Sequence, residues 1–429
     1  MSSADIMERY QKVMFPAKAP LHKENPIIVD HAKDQYIWDV DGKQYLDFFG
    51  GILTVSVGHC NEEITQRTIE QLQTVQHTST IYINEIMVKL AEKVVDLTPA
   101  GLDKVYFTNS GTEANETAVL AARMYTGRPT VIALRHAYSG RSMLAMSLTA
   151  HGTWRLGGVV DPFIKHVRNP YTFRAPQGMD KDALIDLCVQ DLIETIETTT
   201  DGQIAAFMAE PIQGVGGFIV PPQKYFERVL PIVRDAGGVF ISDEVQTGWG
   251  RTGGKWFGIE QFGVTPDIMT FAKGMGNGSP IGCTVSTTPI AEALQGATFS
   301  TFGGNPVTMA TALATLDYME AHDVKSNATI MGAKLREKLE EFGDEFSFIG
   351  EVRGMGLMQA LEIVTPHSKD PDNPMTVRIL DTAKDNGLLL GKGGLHGNVI
   401  RISPHLNVSA DDIDNAMDIL AKTLVEVSS

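Results

Sequence analysis

Three charged side chains in this sequence stand where charge is expensive. The segment FISDEVQTGWGRTG puts Asp243 and Glu244 at the end of an apolar strand, and the later strand DIMTFA delivers Lys273 followed by Gly274. A carboxylate there costs free energy unless it meets a cation, and a buried ammonium is costly unless desolvation is used to lower its pKa. Two readings stay open: an Asp243 to Lys273 salt bridge between neighbouring strands, or a lysine pushed toward neutrality that can form a Schiff base. Upstream, Asn109-Ser110-Gly111-Thr112-Glu113-Ala114-Asn115 follows the strand KVYF and opens a helix rich in Ala118, Ala121 and Ala122. Backbone amides and hydroxyls at such a helix start suit a phosphate, although a capped helix after any strand looks the same.

These residues need elements to hold them. From residue 104 onward short apolar runs (KVYF, TVIALR, QIAAFMAE, GGVFISDE, DIMTFAKG, GCTVSTT) alternate with helical stretches, and each run ends in polar residues or glycine. That pattern predicts a mainly parallel sheet covered by helices, with chemistry at the strand ends where the loops converge. Asn305-Pro306 caps and starts a long helix to about His322, and a last helix is capped by Ser409 with Ile413, Met417, Leu420 and Leu424 on one face. Near the N-terminus, Tyr36, Trp38 and Val40 alternate before Asp41-Gly42 and Tyr45, predicting a hairpin with a type I′ turn. Asn61 starts a helix whose apolar residues are Ile64, Ile69 and Leu72. The first 30 residues, with Pro16, Pro20 and Pro26, read as an arm laid over a partner surface.

Composition narrows the function classes. The chain has 429 residues, 43% hydrophobic and 21% charged, which fits a globular protein of two or three domains. A formal charge of −16 repels polyanions, so neither nucleic acid nor an anionic membrane surface is expected as a partner, although a pocket can still collect a few arginines. Cys60, Cys188 and Cys283 form no CxxC pair, no run reaches the length of a membrane span, and the N-terminus lacks a signal pattern, so a cytoplasmic protein is expected. The pairs around Gly274-Met275-Gly276 and Gly354-Met355-Gly356 lack the third glycine of a dinucleotide fingerprint, and no phosphate-binding GxxxxGK motif occurs. The 11 histidines show no ligand spacing, so no metal site is expected, and most read as surface or local hydrogen-bonding residues.

The phosphate-binding helix start, the strand-end acid and the strand-end lysine together define pyridoxal phosphate (PLP), which has an anionic handle, a basic ring nitrogen and an aldehyde. With MAEPIQG, AKGMGNG and TFGGNP in the same order, the sequence resembles the class III, fold type I aminotransferases from about Asp39 to the C-terminus. The resemblance implies an α/β fold. A large domain with a mainly parallel seven-stranded sheet (59–310) would be joined by a smaller α+β domain built from both chain ends (an arm and part of the small domain in 1–58, the rest in 311–429). It implies that Lys273 holds the Schiff base and then moves the proton between the substrate carbon and the cofactor. Asp243 would keep the pyridine nitrogen protonated, an attraction of roughly 4 kcal/mol at ~4 Å and an effective dielectric near 20. Ser110, Gly111 and Thr112 would hold the phosphate, Tyr138 and Val245 would pack on the two ring faces, and Gln246 would sit beside the ring hydroxyl. Thr301 would reach the phosphate of a neighbouring subunit, implying a homodimer or a dimer of dimers.

For substrates, the resemblance assigns Arg401 in VIRISP to an α-carboxylate. Glu210 in AEPIQG, beside the cofactor, is the residue that can pair with Arg401 and mask it. Arg141 occupies the place of an arginine for a distal carboxylate in 4-aminobutyrate and acetylornithine aminotransferases, but Ser139 stands where the family usually has histidine. The stretch GILTVSVGHCNEEI with HTST looks most like the class III alanine-glyoxylate branch. Tyr82 and Trp154 line the pocket or belong to the core. The expectation is transfer of an amino group from a small or ω-amino acid to pyruvate, glyoxylate or 2-oxoglutarate by a ping-pong route. The alternatives are another PLP reaction (decarboxylation, aminomutase, phospho-lyase) and a non-catalytic scaffold.

Overall fold

The computed structural model of the chain describes residues 3–17, 21–22, 25–158 and 160–428, so Pro20 of the expected arm lies outside the described residues. At the centre is a seven-stranded sheet. Its order in space is Lys104–Thr108, Gly282–Ser286, Ile268–Ala272, Val239–Asp243, Ala206–Ala209, Val131–Leu134 and Ile164–Val167. All neighbours are parallel except Gly282–Ser286, which runs antiparallel to both of its partners. Strands 131–134, 206–209, 239–243 and 268–272 are buried at every position, as expected where helices cover both faces and the apolar runs do not alternate. All six runs picked out in the sequence become strands. The seventh strand, Ile164–Val167, carries a lysine and a histidine on a half-exposed edge, so its apolar signal is diluted.

Two smaller sheets flank this layer. One is wholly antiparallel, in the order Ile349–Met355, Met358–Ile363, Val399–Ile402, Gly391–Gly393. The other joins Val29–Lys33, Tyr36–Asp39 and Gln44–Asp47 to Leu388–Leu389, so the two chain ends share a sheet. Helix Pro306–Ala321 starts at Asn305, whose side chain accepts from Val307 and Thr308 N–H, and buries Met309, Leu313, Leu316 and Met319. Each such side chain removed from water contributes about 1.5–3 kcal/mol. The last helix, Ala410–Ser428, follows a reciprocal cap between Ser409 and Asp412 and buries Ile413, Met417, Leu420 and Leu424 as expected.

Several local expectations are corrected. The hairpin loop is not type I′: Asp39 N–H donates to the Lys43 carbonyl across Val40, Asp41 and Gly42, and only Gly42 is left-handed, at φ +83°. The Asp39 carboxylate accepts from Asp41 and Lys43 N–H, which holds this longer loop. In helix Glu62–Thr74 only Ile64 is buried, while Ile69 and Leu72 stay exposed. Helix Ser3–Val13 buries none of its residues within this chain. Most histidines are exposed or half-buried as expected; of the three buried ones, His22 and His151 hydrogen-bond to Asp381 and to the Gly394 carbonyl, and His405 is the exception.

Candidate active site

The strand ends converge on a cavity of about 190 Å³. Ser110, Gly111 and Thr112 come from the loop after strand 104–108, and Tyr138 to Arg141 from the loop after 131–134. Glu210 follows 206–209, Asp243, Val245 and Gln246 end 239–243, and Lys273 follows 268–272. Asp243 lies opposite Thr270 in the parallel register, which brings acid and lysine to one edge of the sheet.

At the helix-start end, Ser110 is the cap: its Oγ accepts from Glu113 N–H, and the Glu113 carboxylate accepts from Asn109 N–H. The Gly111 and Thr112 amides that open helix Gly111–Thr126 are the donors left for an anion at this helix start. Two glycines keep this end open. A Cβ on Gly111 would meet Val245 Cγ2 at 3.2 Å, and one on Gly140, at φ +132°, would collide with the Thr112 hydroxyl that accepts from Arg141 N–H.

At the acid end, Asp243 is fully enclosed. Asn115 Nδ2 donates to Asp243 Oδ2 at 2.9 Å and Val245 N–H donates to Oδ1 at 3.1 Å, yet desolvation still raises the carboxyl pKa. Asn115 is itself fixed, accepting from the Thr270 hydroxyl and donating to the Ser139 carbonyl. Sequence reasoning gave Asn115 no role. The available signal was a polar residue beside Ala114 and Ala118 on the buried face of a helix. The neighbouring Glu244 turns the other way and is structural: it accepts from Thr247, Gly258 N–H and Ile259 N–H, with its pKa raised to about 7 by burial.

Lys273 is half-buried, as a side chain lining a cavity is. Desolvation lowers its pKa to about 8, with Asp243 and Glu210 opposing and Arg401 assisting. No carboxylate lies within 4.0 Å of its Nζ among the described residues, so the salt-bridge reading of Asp243 and Lys273 is not realised. Glu210 accepts from Tyr138 N–H at 3.1 Å and Gly214 N–H at 2.7 Å, and burial together with Asp243 raises its pKa to about 8. Those amides, not Arg401, are its partners in this structure.

The remaining sequence-derived residues scatter. Arg401, on strand Val399–Ile402, lies behind the cavity wall, where Nη1 reaches Gly214 O and Gln246 Oε1 at 3.5 Å each. Arg141 lines the cavity but is exposed. Thr301 is exposed and does not line the cavity. Tyr82 (67% exposed) and Trp154 (48%) are not core residues in this chain, and Trp154 meets the Tyr138 ring edge-on at 5.7 Å. The cavity thus offers anion-binding amides, a buried acid and a lysine of lowered pKa, which fit the phosphate, ring nitrogen and aldehyde of PLP.

Comparison with known proteins agrees. The family model described as "Aminotransferase class-III" matches residues 18–424. Alanine--glyoxylate aminotransferase 2 homolog 2 of Arabidopsis thaliana is 40% identical, over 97% of this chain and 87% of its own length. The leucine/methionine racemase of Thermococcus litoralis is 34% identical, over 100% and 96%. An amine transaminase from an uncultivated Pseudomonas species, solved in its PLP-bound form, superposes with a TM-score of 0.90 at 32% identity, covering 97% of this chain and 99% of that one. The chain belongs to the class-III aminotransferases, and PLP-dependent transamination is its chemistry.

Proposed function

We propose that the enzyme moves an amino group from a small or ω-amino acid to pyruvate, glyoxylate or 2-oxoglutarate, by a ping-pong route in a cytoplasmic homodimer. The observation that carries this reading is a pair of cations beside one cavity, Lys273 and Arg401, neither with a carboxylate within 4.0 Å among the described residues. PLP, when bound, supplies a carbonyl for the amino group and an electron-withdrawing ring. Lys273 Nζ, with its pKa near 8, is suited to take and return the proton at the donor's α-carbon near neutral pH. Asp243, oriented by Asn115, is placed to hold a proton on a basic ring nitrogen. Gly111 and Thr112 bind the anionic handle, with Ser110 shaping that helix start. Tyr138 and Val245 exclude water from the two faces of a flat ligand, and Gln246 and Glu210 close its edge. Arg401 receives an α-carboxylate and Arg141 a distal one.

The homodimer reading rests on exposed apolar surface near Thr301. Tyr82, Ile83, Phe299 and Phe302 are exposed there, beside a groove of about 770 Å³ lined by Ile81, Met87, Phe107 and Phe299. A monomer by sedimentation at assay concentration would remove it. Cytoplasmic location rests on three free cysteines, and no described helix is long and apolar enough to cross a membrane. The division into 1–58, 59–310 and 311–429 is part of the same proposal.

A panel of amino donors against the three oxo acids tests the function. Parallel ping-pong kinetics are expected, with activity lost in Lys273→Ala. In Arg141→Ala, turnover of 2-oxoglutarate or ω-amino acids should fall roughly ten- to a hundredfold while pyruvate survives. The racemase relative motivates a second reading. Inversion of the donor with no oxo acid consumed would favour it, as gas or phosphate release would favour decarboxylation or a phospho-lyase.

A further inference from the structure

Arg401 is held by rings rather than by charge. Its guanidinium carbon lies 4.9 Å from the centre of the Phe49 ring and 5.5 Å from that of Phe218, and Nε donates to the Lys392 carbonyl at 3.0 Å. Burial lowers its pKa to about 10, partly offset by Glu210. A planar guanidinium lying over aromatic faces is held in a fixed plane with only long 3.5 Å contacts at Nη1 and no carboxylate partner among the described residues, the arrangement that can receive a carboxylate with two parallel hydrogen bonds.

Phe49 reaches that place from an unusual turn. Gly50, Gly51, Ile52 and Leu53 all have positive φ, at 55°, 58°, 68° and 56°, and two of them are not glycine. Such a conformation is strained for a side-chain-bearing residue and persists only where the surroundings impose it. Asp47 imposes it here. Its Oδ1 accepts from Phe49 N–H at 3.0 Å and Gly50 N–H at 2.9 Å, while Oδ2 meets His59 Nε2 at 2.9 Å. Gly391 is bare because a Cβ there would strike the Phe49 ring. Beyond its other end the chain passes close to Gly274, next to Lys273, where an added Cβ would strike Ser56 Oγ.

We propose that Phe49, presented by the left-handed turn Gly50–Leu53 that Asp47 clamps, is the positioning residue that fixes the Arg401 guanidinium for the substrate carboxylate. The proposal rests on the reading of Arg401 as the carboxylate receptor. It makes the N-terminal segment, which lies outside the cofactor motifs, part of substrate selection.

The test is the amino-donor half-reaction of the holoenzyme, followed by the cofactor's absorbance change, for Phe49→Leu, Phe49→Tyr and Arg401→Ala. Each is run with an α-amino acid and with 1-phenylethylamine, which has no carboxylate. In Phe49→Leu the concentration of amino acid needed for half-saturation should rise roughly tenfold, while the maximal rate and the amine reaction stay within about twofold. Phe49→Tyr, which keeps the ring, should restore wild-type saturation. An unchanged half-saturation in Arg401→Ala overturns the carboxylate reading itself. A large effect in Arg401→Ala with none in Phe49→Leu, or equal weakening of both donors in Phe49→Leu, overturns the role of Phe49 alone. Where 1-phenylethylamine turns over too slowly to measure, the split between saturation and maximal rate and the Tyr rescue decide the matter. Phe49→Met, which nearly keeps the volume and removes the ring, gives the same readout if Phe49→Leu does not fold.

Discussion

The two sides of the cavity are built on opposite principles. On the cofactor side, Asp243 and Asn115 are buried, linked to each other and anchored further to Thr270, Val245 and Ser139. All stand on the central sheet, on the helix packed over it, or in the loops that leave the strand ends. On the side proposed for the substrate carboxylate, Arg401 belongs to a different sheet, lies over a ring from the N-terminal segment, and reaches the cavity wall only through 3.5 Å contacts. Arg141 is exposed. A fixed cofactor calls for a rigid frame, whereas a site that must take donor and acceptor in turn needs a receptor that can be occupied or left empty. A guanidinium stacked on rings survives unpaired, while one locked to a carboxylate would compete with substrate.

Substitutions can break this contrast. The largest effect is expected from Asp243→Asn, which should lower kcat roughly a thousandfold while substrate saturation changes little, since it removes charge stabilisation on the reacting side. A rise in KM with kcat preserved would place Asp243 on the wrong side of the comparison. Next comes Asn115→Ala. It leaves one Asp243 oxygen and the Thr270 hydroxyl without their partner, at about 1–3 kcal/mol, and should cost roughly ten- to a hundredfold in kcat and weaken cofactor retention on dialysis. Full activity with tightly held cofactor would show that the frame does not need this link.

The smallest effect concerns Glu210, whose pKa is raised from 4.5 to about 8 by burial and by Asp243. Between those values the folded chain holds a proton that the unfolded chain has lost. Its contribution to stability is therefore full at low pH and declines as pH rises toward 8. Urea unfolding of the cofactor-free protein should show lower stability at pH 8 than at pH 5.5, and Glu210→Gln should shrink that difference. Asp243 and Glu244, also raised, add slope of the same sign, while His136, His151, His166 and His405, lowered by burial, add slope of the opposite sign, so the change between wild type and Glu210→Gln carries the test. An undiminished slope in Glu210→Gln would mean that the carboxyl is ionised in the fold.

Much of the frame was legible because its signals are local. Apolar runs without alternation gave six strands, and Asn61, Ser110, Asn305 and Ser409 marked helix starts that the structure keeps. The hairpin failed because the choice of turn depended on what the Asp39 carboxylate does, and dipeptide chemistry carries no such information. Tyr82 and Trp154 failed because apolar type says nothing about whether an aromatic faces the interior or an exposed surface.

By itself the sequence determined the frame of the proposed cofactor side: an acid and a lysine at the ends of adjacent apolar strands, and a capped helix start after a strand. Short-range pattern marks these positions, and the cost of burying charge means that each must find a partner. Only the tertiary structure decided which groups pair. Lys273 is left without a salt bridge among the described residues, Glu210 is given to two backbone amides, and Asp47 is paired with His59 at 2.9 Å. It also brought Phe49 onto Arg401. The physical reason is sequence separation: no local propensity encodes a contact between residues 49 and 401, and it exists only because the packed sheets close the distance.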